Sequence, residues 1–258
     1  MMLDFLVNNF VGFLLIFLRV LALFFAAPVL NDSSVPNKVR ILMALFFAYI
    51  ITLFVKPAIN INEITIWFLL ISAIKEIVIG LIIGFFTYMI FWAISFAGSL
   101  MGFDLGLSIA ELISPNLDLN ADVVSMIFYV FALLIFVLIN GPEYLIRSIY
   151  YSFKIVPVTK MNLTNITEGI IISESAKVFV IAVKIAAPIL ITFLLFDIAE
   201  SIMSRIIPQM QVFFVLYPVR MWLGFVLISG SMLFFFYTIK NLLQLNEENL
   251  IRLINSMG

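Results

Sequence analysis

The sequence predicts an all-α, polytopic membrane protein, and three observations carry that prediction. Of 258 residues, 64% are hydrophobic and only 11% charged, whereas a soluble domain has roughly 45–50% apolar and about 25% charged residues. Mean hydropathy is +1.22, more apolar surface than one core of this size could hide. The apolar residues also fall in long unbroken runs, which excludes a transmembrane barrel with its short alternating strands. At about 20 residues per span plus short loops, the length allows roughly six or seven helical crossings.

Composition also restricts the chemistry. There are no histidines and no cysteines. Metal sites on Cys or His, Ser-His and Cys-His nucleophile systems, His-ligated haem and disulfides are therefore excluded. Only carboxylates, Lys, Tyr and Ser remain for catalysis, and no cofactor is expected. Basic residues number 14 and acidic residues 15, so no net field draws nucleic acid.

The chain opens with Asp4 and carries no cation before Arg19. It lacks the basic region of a secretory signal, so Phe10–Leu30 reads as a retained first helix. Arg19 lies mid-helix, where a lone cation costs about 2.5–3.5 kcal/mol on insertion scales. It must face protein or water. Pro28 ends or kinks this helix, and Asn31–Lys38 is a polar turn with helix-starting residues. Lys38 and Arg40 make it the most basic short loop, which the positive-inside bias places in the cytoplasm.

Ile41–Val55 is apolar but short, and reads as a half-span ending at Lys56-Pro57. Ile64–Phe103 is nearly continuous, broken only by Lys75-Glu76. Its uncharged part, Ile77–Phe103, would be about 40 Å long at 1.5 Å per residue. That exceeds a hydrocarbon core of about 30 Å, so the helix must tilt, kink or leave the bilayer. Glycines recur here in steps of four: Gly80 with Gly84, then Gly98, Gly102 and Gly106. Such spacing puts them on one face, as a seam for close helix approach. Phe103–Asn120 follows, mixing Gly, Ser, Pro, Asn and carboxylates with spaced aliphatics. Backbone of this kind at membrane depth must meet protein or a water-filled cavity.

Val123–Asn140 reads as a full span stopped by Asn140-Gly141-Pro142. Glu143–Val156 carries an i,i+4 pair, Glu143 with Arg147, and boundary tyrosines. Pro157–Glu174 reads as a loop. Lys177–Phe196 is a span containing Lys184 and Pro188, followed by Asp197, Glu200 and Arg205. Val212–Ile239 is long, aromatic and interrupted by Pro218 and Arg220. Lys240–Met257 is an amphipathic terminal helix suited to a partner or an interface.

Asp104 and Asp197 are candidates by depth for an intramembrane aspartyl protease, but GFDLG and LLFDIAE lack the expected glycine-aspartate contexts. They read instead as helix caps or salt-bridge partners, Asp197 with Arg205 for example. Broken helices and buried charges also fit a secondary transporter of a small solute, although no inverted repeat is evident. A channel or export-gate subunit fits both the mid-membrane charges and the small-residue seams.

The order of motifs carries more. Arg19-Val20-Leu21-Ala22, Ala27-Pro28-Val29-Leu30, Val35-Pro36 and Val39-Arg40 resemble the opening of the FliR family. Glu76-Ile77-Val78-Ile79-Gly80 with Gly84-Phe85 fits its next signature. Gly98-Ser99-Leu100-Met101-Gly102, Gly106-Leu107-Ser108 and Pro115 are similar to its central loop. Ala187-Pro188, Asp197, Arg205, Pro208-Gln209, Val212-Phe213-Phe214, Pro218-Val219-Arg220 and Gly224 match its C-terminal signature in order. The similarity runs from about residue 10 to 240. The equivalent subunit of virulence-type injectisomes is a close relative, and Asn140-Gly141 looks more like the flagellar branch.

The resemblance implies a core subunit of the flagellar type III protein export gate. One copy of the chain would join FliP-like and FliQ-like subunits in a helical hetero-oligomer of kinked hairpins. That assembly sits in the basal body at the bacterial inner membrane, largely above the bilayer plane. FlhB-like and FlhA-like export components, membrane lipids and unfolded export substrates in transit are the further implied partners. By likeness, residues 1–210 form a FliP-like region with a plug loop at about 104–120, and residues 211–258 a FliQ-like hairpin. Carried over by position, the plug would be Gly106, Leu107, Ser108, Ile109, Ala110, Glu111, Leu112, Ile113 and Ser114, ending at Pro115. Ile109, Leu112 and Ser114 stand where family members often carry aromatics and an Asp, but aliphatics exclude water as well. In such an assembly Arg19, Lys184, Asp197, Glu200, Arg205 and Arg220 would pair within or between subunits. Much of the apolar surface would then face protein rather than lipid.

Overall fold

The computed structural model describes residues 2–28, 35–55, 65–107, 123–159, 168–206 and 212–257. Among them every regular element is a helix, so the fold is all-α. Helix α1 (Met2–Ala26) stops where the approach to Pro28 disfavours helical backbone. Helix α2 (Asn37–Val55) starts directly after Pro36, whose carbonyl accepts from Val39 N at 2.9 Å and Arg40 N at 3.3 Å. It therefore has 19 residues and is long enough to cross a membrane. The expected half-span at Ile41–Val55 omitted its polar first turn. Backbone hydrogen bonds rather than hydropathy set a helix start, and Arg40 is accommodated over the Phe25 ring, 5.6 Å from its centroid.

Helix α3 (Ile66–Asp104) has 39 residues and runs through Lys75-Glu76 without a break. Its length is about 58 Å. Helix α4 (Val123–Leu138) has 16 residues, about 24 Å, shorter than the span expected there. It ends before Asn140, whose φ of 62° is left-handed, and α5 (Gly141–Ile155) begins at once with Pro142 in its first turn. Helix α6 (Glu168–Ile206) is again 39 residues long. It absorbs the end of the expected Pro157–Glu174 loop and continues past Phe196 through Asp197, Glu200 and Arg205. Pro188 lies inside it, and Thr192 Oγ1 donates to the Pro188 carbonyl at 2.8 Å. The expected Val212–Ile239 run is divided. Helix α7 (Val212–Gly230) contains Pro218, and α8 (Met232–Met257) follows across a 56° bend at Ser231. Among the described residues, four helices are long and apolar enough to cross a membrane, α1, α2, α3 and α6. The total rises to six if α4 with α5, and α7 with α8, each count as one broken span. The sequence estimate of six or seven came from chain length alone, at about 20 residues per span plus short loops.

The chain forms two compact units interleaved in sequence. One comprises Met1–Ile90, Asn140–Ser173 and Gln244–Gly258. In it α1 and α2 pack along each other, with Phe24 and Phe47 edge to face at 5.7 Å. Small residues let α3 lie against α1. A Cβ on Gly80 would meet the Arg19 carbonyl and lie 2.9 Å from Ala22 Cβ, and one on Gly84 would strike Ala26. The pairs Gly80/Gly84 and Ala22/Ala26 are both four apart, so two small-residue faces meet. Leu15, Ile16, Val20, Leu23 and Ile79 fill the surrounding core.

The other unit comprises Phe91–Ile139 and Glu174–Leu243. Its core is aromatic. Phe91 meets Phe136 at 5.4 Å and Tyr129 at 6.2 Å, and Phe128 meets Phe235 at 4.9 Å, all edge to face. At the α3–α4 contact a Cβ on Gly98 would lie 2.6 Å from Ser125 Cα, and the Ser95 and Ser125 hydroxyls hydrogen-bond at 2.6 Å. No side chain can enter there without moving backbone. Gly98→Leu is therefore expected to destabilise the chain by about 3 kcal/mol, the upper range for overpacking. Gly230→Ala is the control, because nothing lies within 4 Å of its would-be Cβ. Detergent melting curves check this: the first variant should lose several degrees and the second none.

Candidate functional site

Among the described residues, two polar clusters stand out, one in each unit. The first centres on Arg19, which is fully buried, as is Glu76. Arg19 Nε donates to Glu76 Oε2 at 2.5 Å. Its Nη1 donates to Ser152 Oγ and its Nη2 to the Val156 carbonyl, each at 3.1 Å. The guanidinium lies 3.9 Å from the Phe153 ring centroid. The second Glu76 oxygen accepts the Thr159 amide at 3.0 Å. Thr159 has φ of 74°, a backbone state that a β-branched residue adopts at a cost. The carboxylate supplies a partner for its amide. One ion pair thus ties α1 and α3 to the end of α5 and the turn behind it.

The second cluster lies where α3 ends. Gly106 has φ of +80° and its amide bonds the Phe103 carbonyl at 2.9 Å. Side chains of α7 and α6 converge there. Tyr217 Oη donates to the Gly106 carbonyl, and Arg220 Nε donates to the Asp104 carbonyl. Arg220 Nη1 pairs with Asp197 Oδ1 at 2.5 Å and lies 4.0 Å from Glu200 Oε2. Its guanidinium stands 5.1 Å from the Phe193 ring centroid. Helix carbonyls left open at a C-terminus favour cations, and here a cation fixed by two carboxylates meets them.

The residues singled out by sequence distribute as follows. Arg19 is buried and paired with Glu76. Asp197, Glu200 and Arg220 come together, so Asp197 pairs with Arg220 rather than with the Arg205 suggested by proximity along the chain. Lys184 and Arg205 are exposed on α6, Arg205 in its last turn. Gly98 lies in the α3–α4 contact, Gly102 is buried, and Gly106 sits beyond the end of α3 against Tyr217. Of the plug segment, Gly106 and Leu107 are described; Ser108, Ile109, Ala110, Glu111, Leu112, Ile113, Ser114 and Pro115 lie outside the described residues. Sequence reasoning missed Glu76 as the Arg19 partner, and Tyr217 altogether. The available signal for the first was scarcity: each is a charge inside a long apolar run. No spacing rule joins residues 57 apart.

Removing one partner of a buried ion pair leaves a bare charge, which costs about 3–5 kcal/mol. Glu76→Ala should therefore destabilise the chain by that amount in detergent unfolding titrations. Replacing both, as Arg19→Met with Glu76→Met, should cost clearly less. Equal losses for the two variants would contradict the pairing.

Comparison with known proteins agrees with this arrangement of motifs. The family described as bacterial export proteins, family 1, matches residues 10–245. The chain is 31% identical over 257 residues to the flagellar biosynthetic protein FliR of Bacillus subtilis (strain 168), covering 98% of each chain. It is 30% identical over 217 residues to the protein of that name from Escherichia coli (strain K12), covering 83% of this chain and 82% of that one. With that of Aquifex aeolicus (strain VF5), identity is 26% over 229 residues, or 88% of each chain. A match of this extent, over both polar clusters and nearly every helix, places the chain in the FliR family of bacterial export proteins.

Proposed function

We propose that the chain is a core subunit of the flagellar type III protein export gate in the bacterial inner membrane. The observation that carries this reading is the end-to-end match to proteins named flagellar biosynthetic protein FliR. In the proposed role one copy assembles with FliP-like and FliQ-like subunits around a pore for unfolded export substrates. FlhB-like and FlhA-like components adjoin it in the basal body. Residues 1–210 take the FliP-like part and 211–258 the FliQ-like part. The segment Gly106–Pro115 closes the resting pore, and the chain itself performs no bond chemistry.

Physical features of the chain support the assembly. Helices α3 and α6, at 39 residues each, are far longer than one bilayer crossing requires. Large apolar side chains stand open along α2, including Leu42 at 70% and Phe54 at 70% exposure, and along α6, including Leu194 and Leu195. Such surface needs lipid or protein cover. Charges on α6 that sit within a candidate span, Lys184 among them, are costly against hydrocarbon and acceptable against subunits or water.

Two outcomes test the proposal. Detergent extraction from cells expressing the complete gate, followed by intact-complex mass measurement, should find one copy of this chain among FliP-like and FliQ-like subunits. Recovery only as a monomer or homodimer that binds a small solute would instead support a transporter. Deleting Ser108–Ile113 should make cells with the assembled gate leak small ions. Unchanged permeability with normal assembly would refute the plug.

A further inference from the structure

Helices α2 and α5 enclose a groove that neither polar cluster uses. Its volume is about 320 Å³, and it is lined by Phe47, Ile50, Ile51 and Phe54 of α2 with Ile146 and Tyr150 of α5. All of these belong to the first unit. On α2 the lining positions follow i, i+3, i+4 and i+7, and on α5 they are four apart, so each set forms one ridge of its helix. At one end of the groove the Phe54 and Tyr150 rings meet edge to face at 6.5 Å.

The α5 ridge continues past Tyr150. One turn on, in the last turn of the helix, stands Lys154, and it is exposed. Its ammonium lies 5.0 Å from the Tyr150 ring centroid and 5.7 Å from that of Tyr151. Among the described residues Lys154 forms no ion pair. Arg147, on the same side of α5, is already paired with Glu143 at 2.6 Å. Lys154 thus offers an uncompensated positive charge beside the mouth of an apolar groove.

Depth decides what fits there. Helix α2 is long and apolar enough to cross a membrane. Its 19 residues span about 28 Å, close to a hydrocarbon core of about 30 Å. Phe54 is its last residue but one, so that end of the groove lies where hydrocarbon gives way to headgroups. Tyrosines favour this boundary, and Tyr150 and Tyr151 both stand against the Lys154 charge. Leu145, Ile149 and Phe153 turn the other side of α5 into the protein, which leaves the basic, tyrosine-bearing side for an outside molecule. An acyl chain needs the apolar groove, and a phosphate needs the cation at the boundary. The two stand one helical turn apart.

We propose that this groove holds an acyl chain of an anionic phospholipid, whose headgroup phosphate is bound by Lys154. Basic pockets between membrane helices take anionic headgroups in this way. A zwitterionic lipid carries its own cation and gains less from the lysine. The site belongs to this chain and does not depend on what the chain assembles with.

The test titrates the full-length chain in detergent with phosphatidylglycerol or phosphatidylcholine and counts bound lipid by intact mass measurement. The same titration is made on the assembly recovered by mild extraction. Phosphatidylglycerol should bind about fivefold more tightly, the attraction of one lysine for an anionic headgroup. Lys154→Gln should abolish that preference. Ile50→Trp, which fills the groove, should weaken both lipids alike. Lys184→Gln removes a cation from the other unit and should leave binding to the isolated chain unchanged. The proposal is overturned if the unaltered chain shows no preference, or if the preference survives Lys154→Gln. It is equally overturned if Lys184→Gln lowers the preference as much, which would mark diffuse attraction to charge. Lipid bound by the isolated chain but absent from the assembly would mean that a neighbouring subunit fills the groove, and would overturn lipid as its occupant. Should Ile50→Trp fail to fold, Lys154→Gln carries the test, because it alters only an exposed side chain.

Discussion

The buried pair of Arg19 and Glu76 is the constraint on which the first unit depends. A guanidinium fully removed from water must have its charge and its donors satisfied. That requirement brings α3 to α1 and α5 to both, because Glu76 comes from α3 while Ser152, the Phe153 ring and the Val156 carbonyl come from the end of α5. An apolar contact can slide by a turn at little cost, but a four-partner polar centre cannot. It therefore sets the register of the helices that surround it. The close approach at Gly80, where an added Cβ would strike the Arg19 carbonyl, is the steric counterpart of the same register: only a residue without a side chain lets Glu76 come within reach one turn away.

The second unit solves a similar problem with weaker parts. Edge-to-face phenylalanines fill its interior, and such rings tolerate small shifts better than a buried ion pair does. The Arg220 cluster is correspondingly more open: the Asp197 side chain is 52% exposed and that of Arg220 is 17%. Exposed pairs contribute little to stability. What this cluster contributes is direction, since it joins the helix end at Asp104 to α6 and α7 at one point.

How much could be read in advance differs by feature. The helices of this chain were legible because long apolar runs leave few alternatives for the backbone in a membrane. Their ends were less so. Asn37 begins α2 and Asp197–Ile206 continues α6 because polar residues are tolerated at helix ends and on faces that meet protein, which hydropathy scores as interruption. The glycine steps were visible as a repeat, but not what each glycine meets: Ala22 and Ala26 for the first pair, Ser125 for Gly98, Tyr217 for Gly106. The odd charges at Arg19, Asp197, Glu200 and Arg220 stood out for their cost in an apolar run. Their partners lay far along the chain and followed no periodicity.

By itself, then, the amino-acid order determined an all-helical membrane protein without histidine or thiol chemistry, and motifs in the order of the FliR family. These follow from local quantities: hydropathy, glycine and proline placement, and residue counts. Only the tertiary structure decided that Glu76 neutralises Arg19, that Arg220 rather than Arg205 engages Asp197, and that α7 grips the end of α3. Those pairings depend on which helix faces meet. That is settled by packing over the whole unit, where a single missing Cβ or one buried charge outweighs the preference of any local segment.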